Sequence, residues 1–341
     1  MAGEHFTMNS TEDVPRFFDK CNSELAGKGE LAITVRDIES CYPKMPKESI
    51  RTAMQEITAK LAEGKGVHGV YVPRRCKTKQ CLWKCGRSKD MIFMPFDILV
   101  DIGMYSLDNA FIKLADGTIL RQREGIPMGD PVSPGLTIGT CAYMEDNFMR
   151  NIEEETKQFF KTKRYLDDVL IVTADNKKWD SVEFRRQIET KCYEEPLKLT
   201  PGNEKTYLET SFTIEDNTIR YCLKNDNIRT PGKIWRYALV DSHTPYAQKK
   251  ATITATLTKV HKMASDNGMR RASAIQKLKE FKELGYTRSS LRQACTRIWL
   301  STGDATWMDL HWHRRTRFLD WISTIHIALD FSLFVMKLIC L

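Results

Sequence analysis

The chain of 341 residues lacks the features of a secreted or repetitive protein. Its ten cysteines are scattered, and none belongs to a Cys-x-x-Cys pair, so they indicate no disulfide framework. The first ten residues lack the apolar core of a secretory signal. Internal repeats and low-complexity tracts are absent as well. We therefore expect an intracellular protein that is nuclear and not secreted.

A long uncharged hydrophobic run is also missing. The most apolar stretch, 318–341, contains Asp330 and Lys337, each of which would cost roughly 2.5–3.5 kcal/mol at the centre of a bilayer. Ser323, His326, Asp330 and Lys337 follow one another at spacings of three, four and seven, which places them on one helical face. We expect a tail, basic and then apolar, whose amphipathic helix packs on protein or on a membrane surface.

Positive charge is unevenly distributed along the chain. There are 52 Lys and Arg against 44 Asp and Glu, a net charge of +8, whereas residues 249–299 alone hold twelve basic and three acidic residues. The same stretch predicts three helices, because apolar residues recur at helical spacing: Ile253, Leu257, Val260, Ile275, Leu278, Phe281, Leu284, Leu291, Ala294 and Ile298. Asn267-Gly268 and Gly285-Tyr286 are expected to separate these helices. A basic helical surface attracts phosphates of any sequence.

The most informative motif is a pair of adjacent aspartates inside an apolar run. Residues 164–172 read Arg-Tyr-Leu-Asp-Asp-Val-Leu-Ile-Val. Two ionised carboxylates held together are costly unless cations compensate them. The flanks predict two short strands with Asp167 and Asp168 at the tip of a tight hairpin. Such a tip can present carboxylates to a divalent metal ion, and the alternative is an ordinary solvated turn.

Two further segments precede the aspartate pair. Residues 31–46 begin as a buried strand, and Asp37 lies where that strand is expected to end. Residues 123–134 are rich in Gly and Pro, so they cannot continue a helix or a central strand, and a helix is predicted from there to about Arg150. A strand ending in Asp, a glycine-rich loop opening a helix and an aspartate hairpin therefore follow in that order.

This order of motifs resembles the palm domain of reverse transcriptases. The match extends from Leu31 to about Tyr221, and residues 197–206 are similar to the lysine segment that follows the aspartate hairpin in that family. The resemblance implies an α+β fold, in which an antiparallel palm sheet with helices on one face is followed by an all-α thumb. The chain then divides into a polar N-terminal segment (1–30), a palm (31–230) with a basic insertion (73–90), a helical thumb (231–300) and the tail (301–341).

The family's chemistry implies a role for several of these residues. Asp37, Asp167 and Asp168 would hold two Mg²⁺ ions, with Mn²⁺ as the alternative ion, for in-line attack by a primer 3′-hydroxyl. The backbone of Ile38 would lie near the triphosphate. Lys205 would neutralise the leaving pyrophosphate, although an ordinary surface lysine explains it equally well. No covalent nucleophile is required, because phosphoryl transfer depends mainly on positioning and charge stabilisation.

Substrate selection would depend on Tyr42 and on the glycine-rich loop. An aromatic residue at the position of Tyr42 resembles a steric gate against a ribose 2′-hydroxyl, and the alternative is a core tyrosine before Pro43. Gly125 would allow close approach to the nucleotide. Glu124 departs from the family pattern, since an ionised carboxylate cannot donate a hydrogen bond and repels a triphosphate. Asp130 is a second acidic departure, for which Arg121 or Arg123 could supply a countercharge.

Basic residues supply candidate contacts to a template and primer. In the insertion these are Arg74 and Arg75, for which a merely solvated loop is the alternative. In the predicted thumb we expect exposed cations that track the phosphate backbone: Lys249, Lys250, Lys259, Lys262, Arg270, Arg271, Arg288 and Arg292. The expected partners are therefore template RNA or DNA, a primer and dNTP, and no protein partner is indicated.

These expectations amount to an RNA-directed DNA polymerase of retroelement origin. The framing of the thumb by Ser242-His243-Thr244-Pro245 and Gly285-Tyr286-Thr287 is similar to enzymes of the Penelope and telomerase-like type. The fingers region that the family places before the motif of Asp37 is largely missing. The alternative is thus a decayed or domesticated copy that binds nucleic acid without polymerising. An RNA-dependent RNA polymerase is disfavoured by Tyr42.

Overall fold

The computed structural model of the protein describes residues 5–74, 81–84, 90–176, 179–224 and 236–312. The helices are α1 (Asp13–Glu24), α2 (Cys41–Lys44), α3 (Lys47–Lys65), α4 (Phe96–Asp108), α5 (Ser133–Arg150), α6 (Glu154–Lys157), α7 (Ser181–Lys191), α8 (Tyr246–Lys262), α9 (Asn267–Glu283), α10 (Arg288–Thr302) and α11 (Ala305–Trp312). The strands are β1 (Glu30–Ile38), β2 (Gly69–Pro73), β3 (Met91–Pro95), β4 (Phe111–Lys113), β5 (Ile119–Arg121), β6 (Phe160–Tyr165), β7 (Asp168–Asp175), β8 (Leu199–Pro201), β9 (Thr206–Tyr207), β10 (Thr210–Glu215) and β11 (Thr218–Leu223).

The chain forms two compact units. The first unit comprises residues 1–9 and 33–202, and the second unit comprises residues 10–32 and 203–341. Each unit has its own cluster of buried apolar side chains. Among the residues that the structure describes, the first unit contains the helices α2 to α7 and the second contains α1 and α8 to α11.

A four-stranded sheet with the order β6-β7-β1-β8 forms the centre of the first unit. β6 pairs antiparallel with β7, and β1 pairs antiparallel with β8. β7 is apolar on both faces: Val169 and Ile171 join the core shared with the helices, and Leu170 and Val172 are buried on the opposite face. Packing on both faces of β7 limits the movement of the strand, and therefore also of the turn at its start.

The helices of the first unit pack around this strand. The core that they share with Val169 and Ile171 takes apolar residues from α3, α4, α5 and α7, among them Ile50, Met104, Leu136, Phe148 and Phe184. The helix predicted after the glycine-rich loop is confirmed as α5, which ends at Arg150. α5 opens with Pro at its first turn, where the missing backbone N–H costs no helical hydrogen bond.

The second unit combines a small sheet with helices. β11, β10 and β9 form an antiparallel three-stranded sheet in that order. The helices α8 to α11 bury most of the apolar residues that the helical spacing singled out, and Ile275 is partly buried against them. Gly285, with a φ of 89°, separates α9 from α10 as expected. Asn267-Gly268, in contrast, lies inside the first turn of α9, whose N-cap is Asp266.

Two helices lie where the sequence analysis expected none. α1 falls in the segment treated as polar and buries Val14, Phe17, Phe18 and Cys21, which lie on one helical face. α11 falls in the stretch treated as tail, and its Trp307 and Leu310 are buried in the helical core. Residues 313–341 of the predicted tail lie outside the described residues. No helix in the ranges that the structure describes is both long enough and apolar enough to cross a membrane.

Candidate active site

The aspartate pair lies at the end of the β6–β7 hairpin. Tyr165 pairs with Asp168 at the end of the ladder, which leaves Leu166 and Asp167 as the two turn residues. This confirms the tight hairpin predicted from the sequence. Leu166 has a positive φ of 54°, a conformation that costs an L residue about 1 kcal/mol or more and that persists only where surrounding contacts hold it.

The end of β1 lies directly beside this turn. The backbone N–H of Ile38 donates a hydrogen bond to the carbonyl oxygen of Asp167 over 3.0 Å. On the other side of β1, Asp37 pairs with Thr200 of β8. The N–H of Ile38 is therefore already used within the sheet and is not free to bind a phosphate. The two strand ends bring Asp37 and Asp167 together, as the order of motifs predicted.

Two of the carboxylates at this edge, those of Asp37 and Asp168, have a raised pKa. Burial, followed by the negative charges of Asp167 and Glu39, raises the pKa of Asp37. Burial also raises the pKa of Asp168 to about 6, and Asp167 and Asp37 add to the shift. No hydrogen bond or ion pair to the side chain of Asp37 is present among the described residues. Negative charge is thus concentrated at one point of the sheet edge without a neighbouring cation to balance Asp37.

Oxygen ligands that lack a protein cation suit Mg²⁺, which is held by one or two carboxylates and completes its shell with waters and phosphates. Asp37 and Asp167 provide such a pair. Among the described residues, however, no three His, Cys, Asp or Glu side chains are gathered closely enough to hold a metal ion by themselves. The donor set therefore fits an ion bound through two carboxylates, and the assignment of all three aspartates as metal ligands stays a prediction.

The glycine-rich loop packs against the backbone that follows Asp37. Ile126 donates a backbone hydrogen bond of 2.7 Å to the carbonyl oxygen of Tyr42. A Cβ on Gly125 would lie 2.3 Å from the carbonyl oxygen of Pro43, and the φ of Gly125 is 72°. Only glycine fits both the conformation and the space at this position. The loop is therefore fixed at the same edge of the sheet as the aspartates.

Tyr42 lies in α2, five residues after Asp37. Its phenol is hydrogen-bonded to Thr137 at the start of α5, and it is partly buried against the core. Burial and the charge of Asp167 raise the pKa of Tyr42, the latter being a sign of their proximity. The ring thus has packing contacts in the core, and its role as a sugar gate stays a prediction.

The two acidic departures in the loop are placed differently. Glu124 is exposed. Asp130 accepts hydrogen bonds from Ser106 Oγ at 2.7 Å and from the N–H of Val132 at 2.8 Å, and these bonds lower its pKa. The expected arginine countercharge is thus replaced by two neutral donors, the Ser106 hydroxyl in the last turn of α4 and the Val132 N–H at the start of α5. Arg121 instead donates to the carbonyl oxygen of Asp108.

Behind the turn lies a buried ion pair that the sequence analysis missed. Arg164 of β6 and Glu145 of α5 are both fully buried, and Arg164 Nε donates to Glu145 Oε1. Tyr193 donates its hydroxyl to the same carboxylate at 2.9 Å, and so does the N–H of Phe6. The available signal was that Glu145 lies four residues from both Cys141 and Met149 on α5, because a charge on an apolar helix face requires a partner.

Most of the predicted nucleic-acid contacts in the second unit are engaged within the unit. Lys249 was expected to be exposed, but it is 5% exposed and donates to the carbonyl oxygens of Val240 and Ser242. Acidic partners engage the other basic side chains as follows: Lys259 with Glu209, Lys262 with Glu12, Arg270 with Asp304, and Arg271 with Asp309. Lys250 lies 4.7 Å from the ring centre of Tyr246. Lys205 also belongs to this second unit and is exposed.

Three arginines of α10 have no such acidic partner among the described residues. Arg292 and Arg297 line a shallow groove of about 490 Å³ together with Ser289, Gln293 and Thr296. Arg297 also borders a second groove of about 650 Å³ along the small side chains of α8. Arg288, at the first turn of α10, is exposed. Of these, Arg297 was not singled out from the sequence.

The basic insertion is only partly described. Arg74 is exposed, and its N–H donates to the carbonyl oxygen of Asp90 over 2.7 Å. Arg75 and most of the other basic residues of the insertion lie outside the described residues. Their contact with a template stays a prediction.

Known structures share this architecture. A telomerase structure from Candida albicans, in complex with a fragment of telomeric RNA, aligns with a TM-score of 0.54 and 15% identity over 98% of this chain and 55% of that one. One from Candida tropicalis, likewise with telomeric RNA, aligns with a TM-score of 0.50 and 11% identity over 94% of this chain and 53% of that one. The chain shares the α+β fold of these structures.

The predicted fold class is thereby confirmed, and identities this low show the fold alone. The chain spans about half the length of the telomerase structures that it matches. A Sicinivirus RNA-dependent RNA polymerase aligns with a TM-score of only 0.42, which is too low to support an argument. No family profile matches the sequence. No curated protein matches it either.

Proposed function

We propose that the chain is an RNA-directed DNA polymerase that extends a primer 3′-hydroxyl. The observation that carries this proposal is the meeting of Asp37 and Asp167 at the ends of neighbouring strands, where no basic side chain among the described residues forms an ion pair with Asp37. A polymerase-type fold containing such a carboxylate edge is suited to nucleotidyl transfer. Partly buried carboxylates whose pKa is raised by burial and by neighbouring carboxylates, as for Asp37 and Asp168, are also a mark of functional sites.

Asp37 and Asp167 would hold Mg²⁺, with Asp168 as the third candidate ligand and Mn²⁺ as the alternative ion. When bound, the ions activate the attacking hydroxyl and neutralise the leaving pyrophosphate. The chain itself supplies orientation. The hydrogen bond from Ile38 fixes the turn, and Gly125 keeps the loop against the backbone of Tyr42 and Pro43. Both features restrict where a nucleotide can lie, and positioning is the main protein contribution to phosphoryl transfer.

The position of Tyr42 supports DNA as the product. Its ring lies close enough to Asp167 for the aspartate charge to raise the pKa of the phenol. A sugar bound at the carboxylates would therefore face this ring. The hydrogen bond to Thr137 limits the freedom of the ring to move aside. The ring would exclude a ribose 2′-hydroxyl by occupying the space that this hydroxyl needs.

The partners proposed are a template and a primer, and the proposed contacts narrow to α10, which carries the predicted Arg288 and Arg292 and, in addition, Arg297. Arg288, Arg292 and Arg297 are not paired with acids in the described residues, whereas the predicted Lys262, Arg270 and Arg271 are. Free cations release counterions when they meet phosphates and therefore contribute most to binding. The RNA in the related telomerase structures supports this choice of partner. Retroelement origin of the Penelope type and a nuclear location are further proposals.

Primer extension with the purified chain tests the proposal. We expect deoxynucleotide addition on an RNA template in the presence of Mg²⁺, and loss of it in Asp37→Asn and Asp167→Asn. Asp101→Asn is the matched control, because Asp101 is an exposed carboxylate on α4 of the same unit. Activity that survives Asp167→Asn would place the site elsewhere.

A second candidate function is binding without polymerisation. The observation that favours it is the lack of a group of three metal-binding side chains in the described part of the chain. Tight, salt-dependent binding of a primer–template by a wild-type chain that adds no nucleotide with either Mg²⁺ or Mn²⁺ would establish this alternative.

A further inference from the structure

Asp167 lies between two peptide groups that are both held by hydrogen bonds. The carbonyl oxygen of Leu166 accepts a bond of 2.7 Å from Arg164 Nη1. The carbonyl oxygen of Asp167 itself accepts the bond of 3.0 Å from the N–H of Ile38. Fixing these two peptide planes fixes the backbone angles on both sides of the Asp167 Cα. The direction in which its carboxylate leaves the turn is thereby determined.

The first of these bonds also explains the strained turn. Leu166 keeps its φ of 54° although it has a side chain. A left-handed conformation at a non-glycine residue persists only where contacts over-determine it. Arg164 supplies such a contact from the same strand, two residues away. Without it, the turn could relax and rotate the Leu166–Asp167 peptide.

Arg164 can act in this way only because its charge is matched inside the protein. Its guanidinium is fully buried and donates to Glu145 through Nε, to Leu166 through Nη1 and, at 3.3 Å, to Thr7 through Nη2. Glu145 in turn accepts from Tyr193 and from the N–H of Phe6. A planar fork of donors meets all these acceptors at once, which the single ammonium of lysine cannot do.

A contribution to folding stability is a weak explanation for the buried Glu145–Arg164 pair. Burying two charges carries a desolvation penalty, and apolar replacements of similar volume are often as stable or more so. A well-bonded outer group, in contrast, commonly changes metal affinity or activity by about 10–100-fold when it is removed. The position of the Glu145–Arg164 pair fits this role as a supporting group, because Arg164 donates a hydrogen bond to the turn that carries Asp167.

We infer that the buried Glu145–Arg164 pair positions Asp167 for binding a divalent cation, with Arg164 as the positioning residue and Glu145 as its anchor. The inference rests on the proposed function for the identity of the reaction. The part of the inference that concerns cation binding does not depend on the proposed function, because binding of the ion can be measured without nucleotide or nucleic acid.

The experiment compares Mn²⁺ binding by electron paramagnetic resonance, Mg²⁺ half-saturation of primer extension, and thermal unfolding. The test variants are Glu145→Leu combined with Arg164→Met, which removes both charges together, and Arg164→Lys, which keeps the charge but not the fork. Arg185→Met is the control. It breaks a partly buried ion pair with Asp175 at the opposite end of β7. Asp167→Asn identifies the Mn²⁺ signal that belongs to the site.

We expect the paired variant to unfold cooperatively yet to bind Mn²⁺ about tenfold more weakly or worse, with Mg²⁺ half-saturation raised to a similar extent. Arg164→Lys should show the same loss with a melting temperature closer to wild type. Arg185→Met should lower the melting temperature and leave both metal constants unchanged.

Wild-type Mn²⁺ affinity in the folded paired variant would overturn the inference. Should that variant fail to fold, wild-type affinity in a folded Arg164→Lys would do the same. A wild-type chain without any Asp167-dependent Mn²⁺ signal overturns both the inference and the proposed metal site. A chain that binds Mn²⁺ through Asp167 but never extends a primer overturns only the proposed function.

Discussion

Gly125 and Tyr42 are in direct backbone contact, although 83 positions separate them. A Cβ on Gly125 would meet the carbonyl oxygen of Tyr42 at 2.5 Å, and the neighbouring Ile126 donates its N–H to that same oxygen. The contact joins the segment after Asp37 to the loop that opens α5. The space next to the carboxylates is bounded by this contact, so changes here should affect both stability and substrate selection.

We predict that Gly125→Ala destabilises the first unit, because the new methyl group meets backbone atoms that cannot move aside and the φ of 72° is strained for alanine. The cost should be about 2–4 kcal/mol, in the range of strain combined with overpacking. Urea unfolding measures it. Gly129→Ala is the control, since Gly129 has a φ of 94° but open space around a Cβ. Equal losses in the two variants would mean that strain alone acts at Gly125.

We predict that Tyr42→Ala raises incorporation of ribonucleotides relative to deoxyribonucleotides, because it removes the ring proposed as the sugar gate. Single-nucleotide extension with each substrate class measures the ratio. Tyr42→Phe is the matched control, as it keeps the ring and loses only the bond to Thr137. An unchanged preference in Tyr42→Ala would reduce the residue to a packing role.

We predict that neutralising Arg292 or Arg297 weakens binding of a primer–template to a similar extent for all sequences. Each lost phosphate contact should reduce the slope of log affinity against log salt by roughly one unit. Titrations at several salt concentrations measure the slope. Arg270→Gln serves as the contrast, because its partner Asp304 lies within the unit. That variant should lower stability and leave the salt slope unchanged; the reverse pattern would restore the contacts predicted from the sequence.

We predict that acid destabilises the helical part of the second unit through His261. Trp307 is fully buried and donates its indole N–H to Nδ1 of His261, which must then be unprotonated. Burial and the charge of Arg270 lower the pKa of His261 below 6.5, although Asp304, 3.4 Å away, opposes this shift. Since the folded state holds its proton less tightly than the unfolded state, the stabilisation is complete above the unfolded pKa and is lost as pH falls.

Tryptophan fluorescence during thermal unfolding, between about pH 7.5 and about pH 5.5, tests this prediction. His261→Gln removes the titrating group, so the variant should show a smaller fall in melting temperature than the wild type. The comparison is needed because Asp168, with its raised pKa, titrates in the same window with the opposite sign. Parallel pH profiles for the two proteins would show that His261 is not responsible.

Short-range patterns carried the parts of the fold that were predicted correctly. The apolar flanks of the aspartate pair placed Asp167 at a hairpin tip, and helical spacing identified the residues buried among α8, α9 and α10. Gly and Pro marked the loop before α5. These signals are local because strand pleats, turns and helix faces are set by neighbouring residues. The same signal existed for α1, in Val14, Phe17 and Phe18, and was overlooked.

The sequence by itself determined which side chains could perform the chemistry, and the tertiary structure decided which of them are available. Lys249 and Arg271 read as equivalent surface cations, yet one is buried on backbone carbonyls and the other faces Asp309. Glu145 reads as an ordinary helical residue, yet it meets the N–H of Phe6 across 139 positions and holds Arg164 behind the Asp167 turn. The partner of a charge depends on contacts between distant segments, and no local pattern encodes them.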